Sequence, residues 1–215
     1  MAYRIGETMR LEEARDLGIV PATILDIGAH SGQFHSWAKR VWGDAGVFMI
    51  EANPLHEGVL RNIASANGDN YLIAAMGDEE RDVTFYTRSD KPHTEGNSYY
   101  KENNYWDIPQ LVQESKVTLQ KLDNLFEDDA VFEIIKVDTQ GSEIDILKGG
   151  KDLVSRAQAV ILEVSFIPYN EGAPTDQETN DYMNKIGFEE KMSIGEHYDG
   201  DALVQKDLLF TREKI

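Results

Sequence analysis

The chain contains no cysteine, which excludes disulfide bonds, thiolate metal ligands and a cysteine nucleophile from its chemistry. It has no apolar run near the ~20 residues that span a bilayer. Its first residues, MAYRIGETMRLEE, lack the apolar stretch of a secretory signal. These absences predict a cytoplasmic protein with no membrane partner.

Basic residues are scarce, because 21 lysines and arginines are outnumbered by 39 aspartates and glutamates, for a net charge of -18. The longest basic cluster is Lys39-Arg40. Such a chain repels nucleic acid and anionic membrane surfaces, so we expect neither as a partner. The histidines and acids lack the spacing of metal ligands, and we expect no metal site.

Helical and strand-like segments alternate along all 215 residues without a linker or repeat, which predicts one domain over residues 1–215. Unbroken apolar strands separated by helices predict a mostly parallel sheet covered on both faces. The final segments FEEKMSI and ALVQKDLLFTR have no helix between them, so the last strand should be antiparallel. This arrangement is similar to that of class I methyltransferases, and the resemblance implies an α/β, Rossmann-like three-layer sandwich with a seven-stranded sheet.

Three helix starts are marked by side chains that can cap free backbone N–H groups. Thr8 predicts the start of an N-terminal helix over residues 8–17. The pairs Ser142 with Asp145 and Thr175 with Glu178 have the spacing of capping boxes and predict two further starts.

The stretch TILDIGAHSGQFHSW, residues 23–37, has the pattern of a buried strand that turns tightly into a helix. A dinucleotide fingerprint, G-x-G-x-x-G, needs a second and a third glycine so that pyrophosphate can approach. Aligned on Gly28, those positions hold His30 and Gln33. The spacing of Gly28 and Gly32 is instead that of the S-adenosylmethionine loop, where backbone N–H groups at the helix start can hold a carboxylate.

Acidic residues near the ends of the first two strands extend this site. Glu51 ends the second strand, where an acid can accept hydrogen bonds from both ribose hydroxyls of an adenosine. Asp26 is placed to act, through water, on the ammonium group of the cofactor. Ala75 offers a small apolar contact to adenine, although an ordinary core position explains it equally well. The pattern predicts S-adenosylmethionine as the cofactor.

Six motifs, ILDIGAHSGQF, VFMIEANP, AAMGDE, VTLQKLDNL, IIKVDTQGSEIDILKGG and VILEVS, follow one another between residues 23 and 165. In these motifs the chain resembles the FkbM-type methyltransferase family, and the Lys-x-Asp-x-x-Gly-x-Glu string is the most specific of them. The resemblance implies a class I fold, S-adenosylmethionine held by Gly28, Gly32 and Glu51, and O-methylation of a sugar or small-molecule hydroxyl. The chain departs from the family at His30, often Asn, and at Gln140, often Glu.

Methyl transfer is an in-line displacement that usually requires removal of a hydroxyl proton. Asp138, at the end of the central strand, is expected to contact the cofactor ammonium, to act as a base or to serve the structure. Lys136 faces the same side and either pairs with Asp138 or orients the substrate oxygen. Glu163, which ends the next strand, is a candidate base, substrate ligand or structural residue. The predicted catalytic residues are Asp138, Lys136 and Glu163.

The predicted cofactor-binding residues come mainly from the cofactor-binding half of the domain, residues 23–90. They are Asp26, Gly28, Ala29, His30, Ser31, Gly32, Phe34, Glu51, Asn53, Ala75 and Asp138.

A long irregular segment, residues 91–115, either forms a lid over the acceptor or packs as a satellite core. Its aromatic residues are Tyr99, Tyr100, Tyr105 and Trp106. His35, His56 and His197 have no partners nearby in sequence, and we expect them to be exposed. Two other functions stay open: an NAD-dependent oxidoreductase, which would use the same strand–turn–helix and Glu51, and a catalytically silent binding module.

Overall fold

The structure is a computed structural model that describes residues 9–93, 96–103, 108–167 and 169–212. These residues contain ten strands and six α-helices. The strands are β1 (Thr23–Ile27), β2 (Gly46–Glu51), β3 (Asn70–Ile73), β4 (Ala75–Met76), β5 (Asp82–Arg88), β6 (Val112–Gln120), β7 (Ile134–Val137), β8 (Ala159–Ser165), β9 (Glu189–Asp199) and β10 (Ala202–Thr211). The helices are α1 (Leu11–Asp16), α2 (Gln33–Val41), α3 (Glu57–Asn67), α4 (Glu143–Gly149), α5 (Lys151–Ser155) and α6 (Asp176–Lys185). Strands and helices alternate in the parts of the chain around β1, β2 and β8.

Seven strands form the main sheet in the order β3-β2-β1-β7-β8-β10-β9. The first five run parallel, and the last strand, β10, lies antiparallel between β8 and β9. The central strands β1, β7 and β8 are apolar and buried because helices cover both of their faces. The predicted mostly parallel, seven-stranded sheet with an antiparallel last strand is confirmed.

Two apolar cores separate the sheet from its helices and make the molecule a three-layer sandwich. On one face, Leu11, Ala38 and Leu60 of helices α1, α2 and α3 pack against the sheet. On the other, helices α4, α5 and α6 pack through residues that include Ile146 and Met183. The carboxyl ends of the parallel strands are left at one edge, where ligands bind in sheets of this type.

A smaller sheet in the order β4-β6-β5 lies outside the main one. The segment NYLIAAM, expected as one strand, is divided between β3 of the main sheet and β4 of the small sheet. Residues 112–115, the end of the predicted segment 91–115, are extended in β6 and paired with β5.

The helix starts differ partly from the sequence prediction. The capping box of Thr175 and Glu178 is confirmed. That of Ser142 is wrong, because the Ser142 hydroxyl donates to the hydroxyl of Thr139, 2.8 Å away, instead of capping helix α4. Thr8 lies outside the described residues, and helix α1 begins at Leu11. In the described part of the chain, none of the helices is long and apolar enough to cross a membrane.

Candidate active site

The carboxyl ends of strands β1, β2, β7 and β8 bring the predicted site residues to one edge of the sheet. Strand β1 lies between β2 and β7, so the turn at Gly28 stands between Glu51 on one side and Asp138 on the other. Glu163 follows on the neighbouring strand β8. Residues that are far apart in sequence therefore meet at one edge of the sheet.

Both glycines of the turn have a positive φ, and Gly28 is required by packing as well. Gly28 has φ +77°, and a Cβ placed there would lie 1.8 Å from the backbone oxygen of Asp138. Gly32, at φ +81°, would place a Cβ 2.4 Å from Cδ1 of Ile63 on helix α3. The turn therefore packs directly against the backbone that follows β7 and lies close to helix α3.

His30 also has a left-handed backbone, with φ +49°, and is held on three sides. Its N–H donates to Oε2 of Glu51 at 2.8 Å, its Nδ1 lies 3.1 Å from the Ser31 hydroxyl, and its Nε2 lies 2.7 Å from the carbonyl oxygen of His93. These contacts explain why a residue with a side chain is accepted at the middle position of the turn.

Glu51 is buried, and both of its carboxylate oxygens accept backbone hydrogen bonds. Besides His30, the N–H of Asn53 donates to Oε1 at 2.7 Å. Burial raises the pKa of Glu51, although these two N–H donors oppose the rise. Each oxygen of an ionised carboxylate can accept a second hydrogen bond, so the ribose-binding role predicted for Glu51 fits this geometry.

Lys136 is buried in β7, and its ammonium group has three oxygen neighbours. Its Nζ lies 3.4 Å from Oδ1 of Asp26 and 3.2 Å from Oδ2 of Asp138, and it donates to the carbonyl oxygen of Gly28 at 3.0 Å. Burial alone would lower the pKa of Lys136, but the two carboxylates raise it above its usual range. Of the two predicted roles of Lys136, the structure supports pairing with Asp138.

Asp26 faces Lys136 directly across strands β1 and β7. Its side chain is 0% exposed, and this burial raises the pKa of Asp26. The carboxylate is thus buried beside Lys136, and the water-mediated contact of Asp26 with the cofactor ammonium stays a prediction.

Asp138 and Glu163 stand side by side but in different electrostatic states. Gln140 Nε2 lies 3.4 Å from Oδ1 of Asp138 and donates to Oε2 of Glu163, which also accepts from Gln205 at 2.9 Å. Burial would raise the pKa of Asp138, but Lys136 outweighs burial and lowers it. Burial and the neighbouring carboxylates raise the pKa of Glu163 well above its usual range. Asp138 is therefore ionised at neutral pH, whereas Glu163 binds a proton more readily.

Glu143 holds the loop that follows β7, a role that the sequence reasoning missed. Its carboxylate accepts from the N–H of Thr139 at 2.8 Å and from the N–H of Gly141 at 3.0 Å. The loop needs this support because Gln140 and Gly141 both have positive φ, +56° and +105°. Glu143 is the glutamate of the Lys-x-Asp-x-x-Gly-x-Glu string, and this position was the sequence feature that could have indicated its role.

We expect Glu143→Gln to change how stability depends on pH. Burial raises the pKa of Glu143 from 4.5 to about 7, so the folded chain keeps this proton at pH values where the unfolded chain loses it. The contribution of Glu143 to stability is complete below pH 4.5 and is lost as the pH rises towards about 7. Urea unfolding at pH 5 and pH 8 measures it, and the difference between the two should shrink in Glu143→Gln. An unchanged difference would remove Glu143 as its source.

The described part of segment 91–115 is tied to the same loop. Ser98 Oγ donates to the carbonyl oxygen of Thr139 at 3.0 Å, and the hydroxyls of Tyr99 and Tyr100 donate to Oδ2 of Asp145 at 3.3 and 2.8 Å. These contacts support a packed satellite core around Tyr99 and Tyr100. The other two aromatic residues, Tyr105 and Trp106, lie outside the described residues.

The remaining predicted cofactor residues surround the turn. The N–H of Ala29 donates to the carbonyl oxygen of Ile50 at 3.0 Å, and Asn53 donates through its side chain to the carbonyl oxygen of Pro92 at 2.8 Å. Ala75 is buried in β4. Phe34 is buried in the core, and the centroid of its ring lies 5.8 Å from Nζ of Lys136. The ring therefore packs beside the ammonium group of Lys136.

The expectation of exposed histidines is wrong for His35 and His56, which are both buried. His35 pairs with Asp69 at 2.8 Å. His56 packs 4.2 Å from the His30 ring, and burial together with the charges of His30 and His93 lowers the pKa of His56 to about 4. Their partners lie on other elements and could not be seen from neighbouring sequence. Among the described residues, no group of three acids or histidines is arranged to hold a metal ion.

The sheet order with its antiparallel last strand, and the glycine turn between two acidic strand ends, define a class I methyltransferase fold. A sequence profile of the Methyltransferase FkbM domain matches residues 26–190, which is more than half of the chain. The chain therefore belongs to the FkbM methyltransferase family, as its motifs predict, and this family uses S-adenosylmethionine. None of the curated proteins compared with the chain matches it.

Solved structures share the fold at low sequence identity. The FkbM methyltransferase from Methylobacillus flagellatus superposes with a TM-score of 0.56 at 16% identity, covering 88% of this chain but 43% of its own length. Magnesium protoporphyrin IX methyltransferase from Synechocystis, solved with S-adenosylmethionine bound, gives 0.54 at 11% identity and covers 93% of this chain and 74% of its own. An S-adenosylmethionine-dependent methyltransferase from Clostridium acetobutylicum gives 0.56 at 9% identity, with 95% and 89% covered. This chain thus spans less than half of the FkbM structure, and these likenesses concern the fold.

Proposed function

We propose that this chain binds S-adenosylmethionine at the glycine turn and transfers its methyl group to a hydroxyl of a sugar or another small molecule. The observation that carries the proposal is the pair of neighbouring carboxyl groups at the ends of β7 and β8. Asp138 is kept ionised by Lys136 at 3.2 Å, while the pKa of Glu163 is raised. Neighbouring acids whose pKa values are driven apart are typical of sites that handle a proton.

The residues around the turn fit the cofactor. Helix α2 begins directly after Gly32, and N–H groups at a helix start can hold a carboxylate. Glu51 retains acceptor capacity for ribose hydroxyls, and the ionised Asp138 can accept from an ammonium group. When bound, S-adenosylmethionine supplies an activated methyl group on a sulfonium.

Asp138 and Glu163 take different parts in this proposal. Asp138 has a lowered pKa and a fixed cationic partner, which suits an electrostatic contact to the cofactor better than proton removal. Glu163, with its raised pKa, suits a hydrogen bond to the acceptor hydroxyl. Lys136 stays charged between Asp26 and Asp138 and positions Asp138. The net charge of -18 supports an acceptor that is neither a nucleic acid nor a membrane surface.

Two measurements test the proposal. Calorimetry should show binding of S-adenosylhomocysteine to the folded chain. Incubation with methyl-labelled S-adenosylmethionine and a panel of glycosides, lipopolysaccharide sugars and small phenols should then transfer label to an oxygen. Binding without transfer to any member would favour a silent module, and no binding by a folded sample would contradict the proposal. NADH should cause no fluorescence change.

We expect Glu51→Gln to weaken S-adenosylhomocysteine binding by ~1–3 kcal/mol, because a carboxylate that accepts hydrogen bonds inside a buried site is lost. Calorimetry measures the effect. Glu57→Gln is the matched control, since Glu57 is an exposed residue of helix α3 paired with Arg61 and should leave affinity unchanged. Equal affinity of the two variants would exclude Glu51 from the cofactor site.

A further inference from the structure

Gln140 is one of two non-glycine residues with a left-handed backbone in the part of the chain that the structure describes. Its φ is +56°, and the other is His30 in the glycine turn, with φ +49°. A side chain makes this conformation costly, so such residues persist where the surrounding structure holds them, and they concentrate at functional sites. Gln140 is also buried. Its burial and its strained backbone are therefore typical of a functional side chain.

The loop backbone is fixed on both sides of Gln140. The carboxylate of Glu143 accepts from the N–H of Thr139 at 2.8 Å and from the N–H of Gly141 at 3.0 Å. Gly141 is closely packed as well, because a Cβ placed there would lie 2.8 Å from Cβ of Ala173. A backbone held in this way fixes the position from which the Gln140 side chain extends.

The amide group of Gln140 lies between the two acids at the ends of β7 and β8. Its Nε2 lies 3.4 Å from Oδ1 of Asp138 and donates to Oε2 of Glu163. The other carboxylate oxygen of Asp138, Oδ2, lies 3.2 Å from Nζ of Lys136. An amide nitrogen has two N–H donors, so Gln140 presents a positive hydrogen to each acid and lessens the repulsion between them.

Glu163 is held at one of its two carboxylate oxygens. Oε2 accepts from Gln140 and, at 2.9 Å, from Nε2 of Gln205 on β10. Both donors meet Oε2, and in the described part of the chain no hydrogen bond is made to Oε1. The Glu163 side chain is only partly buried. Oε1 is therefore the oxygen of Glu163 that can accept from a hydroxyl group of the acceptor.

The electrostatic surroundings of Glu163 make these N–H donors important. The charged groups around it come from the neighbouring elements, and they are Asp138 and Lys136 at the end of β7, Asp207 of β10, His197 of β9, which pairs with Asp207, and Glu143 of α4. Burial and the acids raise the pKa of Glu163 well above its usual range. A raised pKa makes the carboxylate a stronger base, but it also lowers the share of Glu163 that is ionised. N–H donors favour the ionised form, so the amides of Gln140 and Gln205 oppose the neighbouring acids and keep the carboxylate available.

We propose that Gln140 is a positioning residue of the methyl transfer, which holds Glu163 in place to take the proton of the acceptor hydroxyl. This inference rests on the function proposed above. The hydroxyl proton passes to Oε1 of Glu163 as the acceptor oxygen forms its bond to the methyl carbon and the carbon–sulfur bond breaks. The electron pair of the broken bond stays on sulfur, so the positive charge on sulfur and the negative charge on Glu163 are both lost. Once the methylated product has left, the proton passes from Glu163 to solvent.

The first test titrates the carboxyl group of Glu163 in the full chain by NMR of carboxyl carbons, with Glu163→Gln to assign its signal. We expect Gln140→Met, which is similar in size but has no donor, to raise the pKa of Glu163 further. Gln140→Gly should do the same, and it should fold because glycine suits the left-handed backbone. Gln177→Met is the matched control, since Gln177 donates to Asp181 on the surface of helix α6 at 2.9 Å, and it should leave the titration unchanged. A Glu163 titration that is unchanged in both Gln140 variants would overturn the proposal.

The second test measures kcat and KM with the best methylated compound of the panel. We expect Glu163→Gln to lower kcat by ~10²-fold or more, as loss of a base does. Gln140→Met should lower kcat by ~10-fold, because a hydrogen bond to a charged group is lost. It should also move the fall of kcat in acid to higher pH, since this fall follows the ionisation of Glu163. Affinity for S-adenosylhomocysteine should be nearly unchanged, because Lys136 still holds Asp138.

The outcomes separate the two proposals. If the wild type methylates a compound but Glu163→Gln keeps the wild-type kcat, this inference is overturned and the proposed function stands. The same holds if Gln140→Met raises KM and leaves kcat and its pH profile as in the wild type. If the folded wild type transfers methyl to no compound of the panel, the proposed function fails and this inference fails with it. Circular dichroism of each variant confirms that it is folded before its rate is interpreted.

Discussion

Gly28→Ala is expected to lower the free energy of unfolding by several kcal/mol. The Cβ would lie 1.8 Å from the Asp138 carbonyl oxygen and 2.9 Å from its carbonyl carbon, and a backbone at the centre of a sheet cannot move aside as a flexible side chain can. The φ of +77° adds backbone strain. Relieving the clash means separating β1 from β7, which we expect to cost more than ~4 kcal/mol, out of the ~5–15 that stabilise a typical domain. Urea unfolding of the soluble fraction measures the loss.

Gly68→Ala is the matched control for this variant. Gly68 ends helix α3 at φ +74°, but a Cβ there would meet nothing within 4 Å. Gly68→Ala should therefore cost only the strain of a left-handed backbone, ~1–2 kcal/mol. The difference between the free energies of unfolding of the two variants measures the contribution of the contact between the glycine turn and β7. Equal losses in both would show that backbone angle alone explains Gly28.

The fold was predictable where hydrophobic pattern and topology agree. Strands β1, β7 and β8 are short apolar runs between helices, and only a parallel sheet buried on both faces accommodates such runs. The division of NYLIAAM between β3 and β4 was not predictable, because the pairing of Ala75 with Leu119 on β6 joins residues far apart in the chain. No local signal in either segment indicates that contact.

The candidate site was predictable on its cofactor side and not on its other side. Gly28, Gly32 and Glu51 belong to contiguous motifs whose spacing reflects one turn and one strand end. Gln205 has no motif, since it reaches Glu163 only because β10 inserts between β8 and β9. Such a placement becomes visible only once the register of the sheet is known.

Lys136→Met is expected to destabilise the chain by ~3–5 kcal/mol, although methionine is close to lysine in size. Lys136 is the cation that faces Asp26 in the sheet register, and the Asp26 side chain is fully buried. Removing one partner of a buried ion pair leaves a buried charge that neither water nor protein neutralises. This destabilises a protein far more than replacing the whole pair by apolar residues does. Lys148→Met, which breaks the more exposed contact of Lys148 with Asp145 at 3.3 Å, should cost ~0–1 kcal/mol by comparison.

Two measurements test whether the unpaired Asp26 carboxylate causes this loss of stability: its dependence on pH and the effect of a second substitution. Without Lys136, Asp26 must take up a proton to stay buried, so its pKa in the folded chain rises further above the unfolded value of 3.8. The folded state then binds this proton more tightly than the unfolded state, and the stability of Lys136→Met should fall as the pH rises from 5 to 8. Adding Asp26→Asn should restore much of the loss and remove this dependence. If the double variant is as unstable as the sum of the two single variants, Asp26 and Lys136 do not act as a pair, because independent sites give additive changes in the free energy of unfolding.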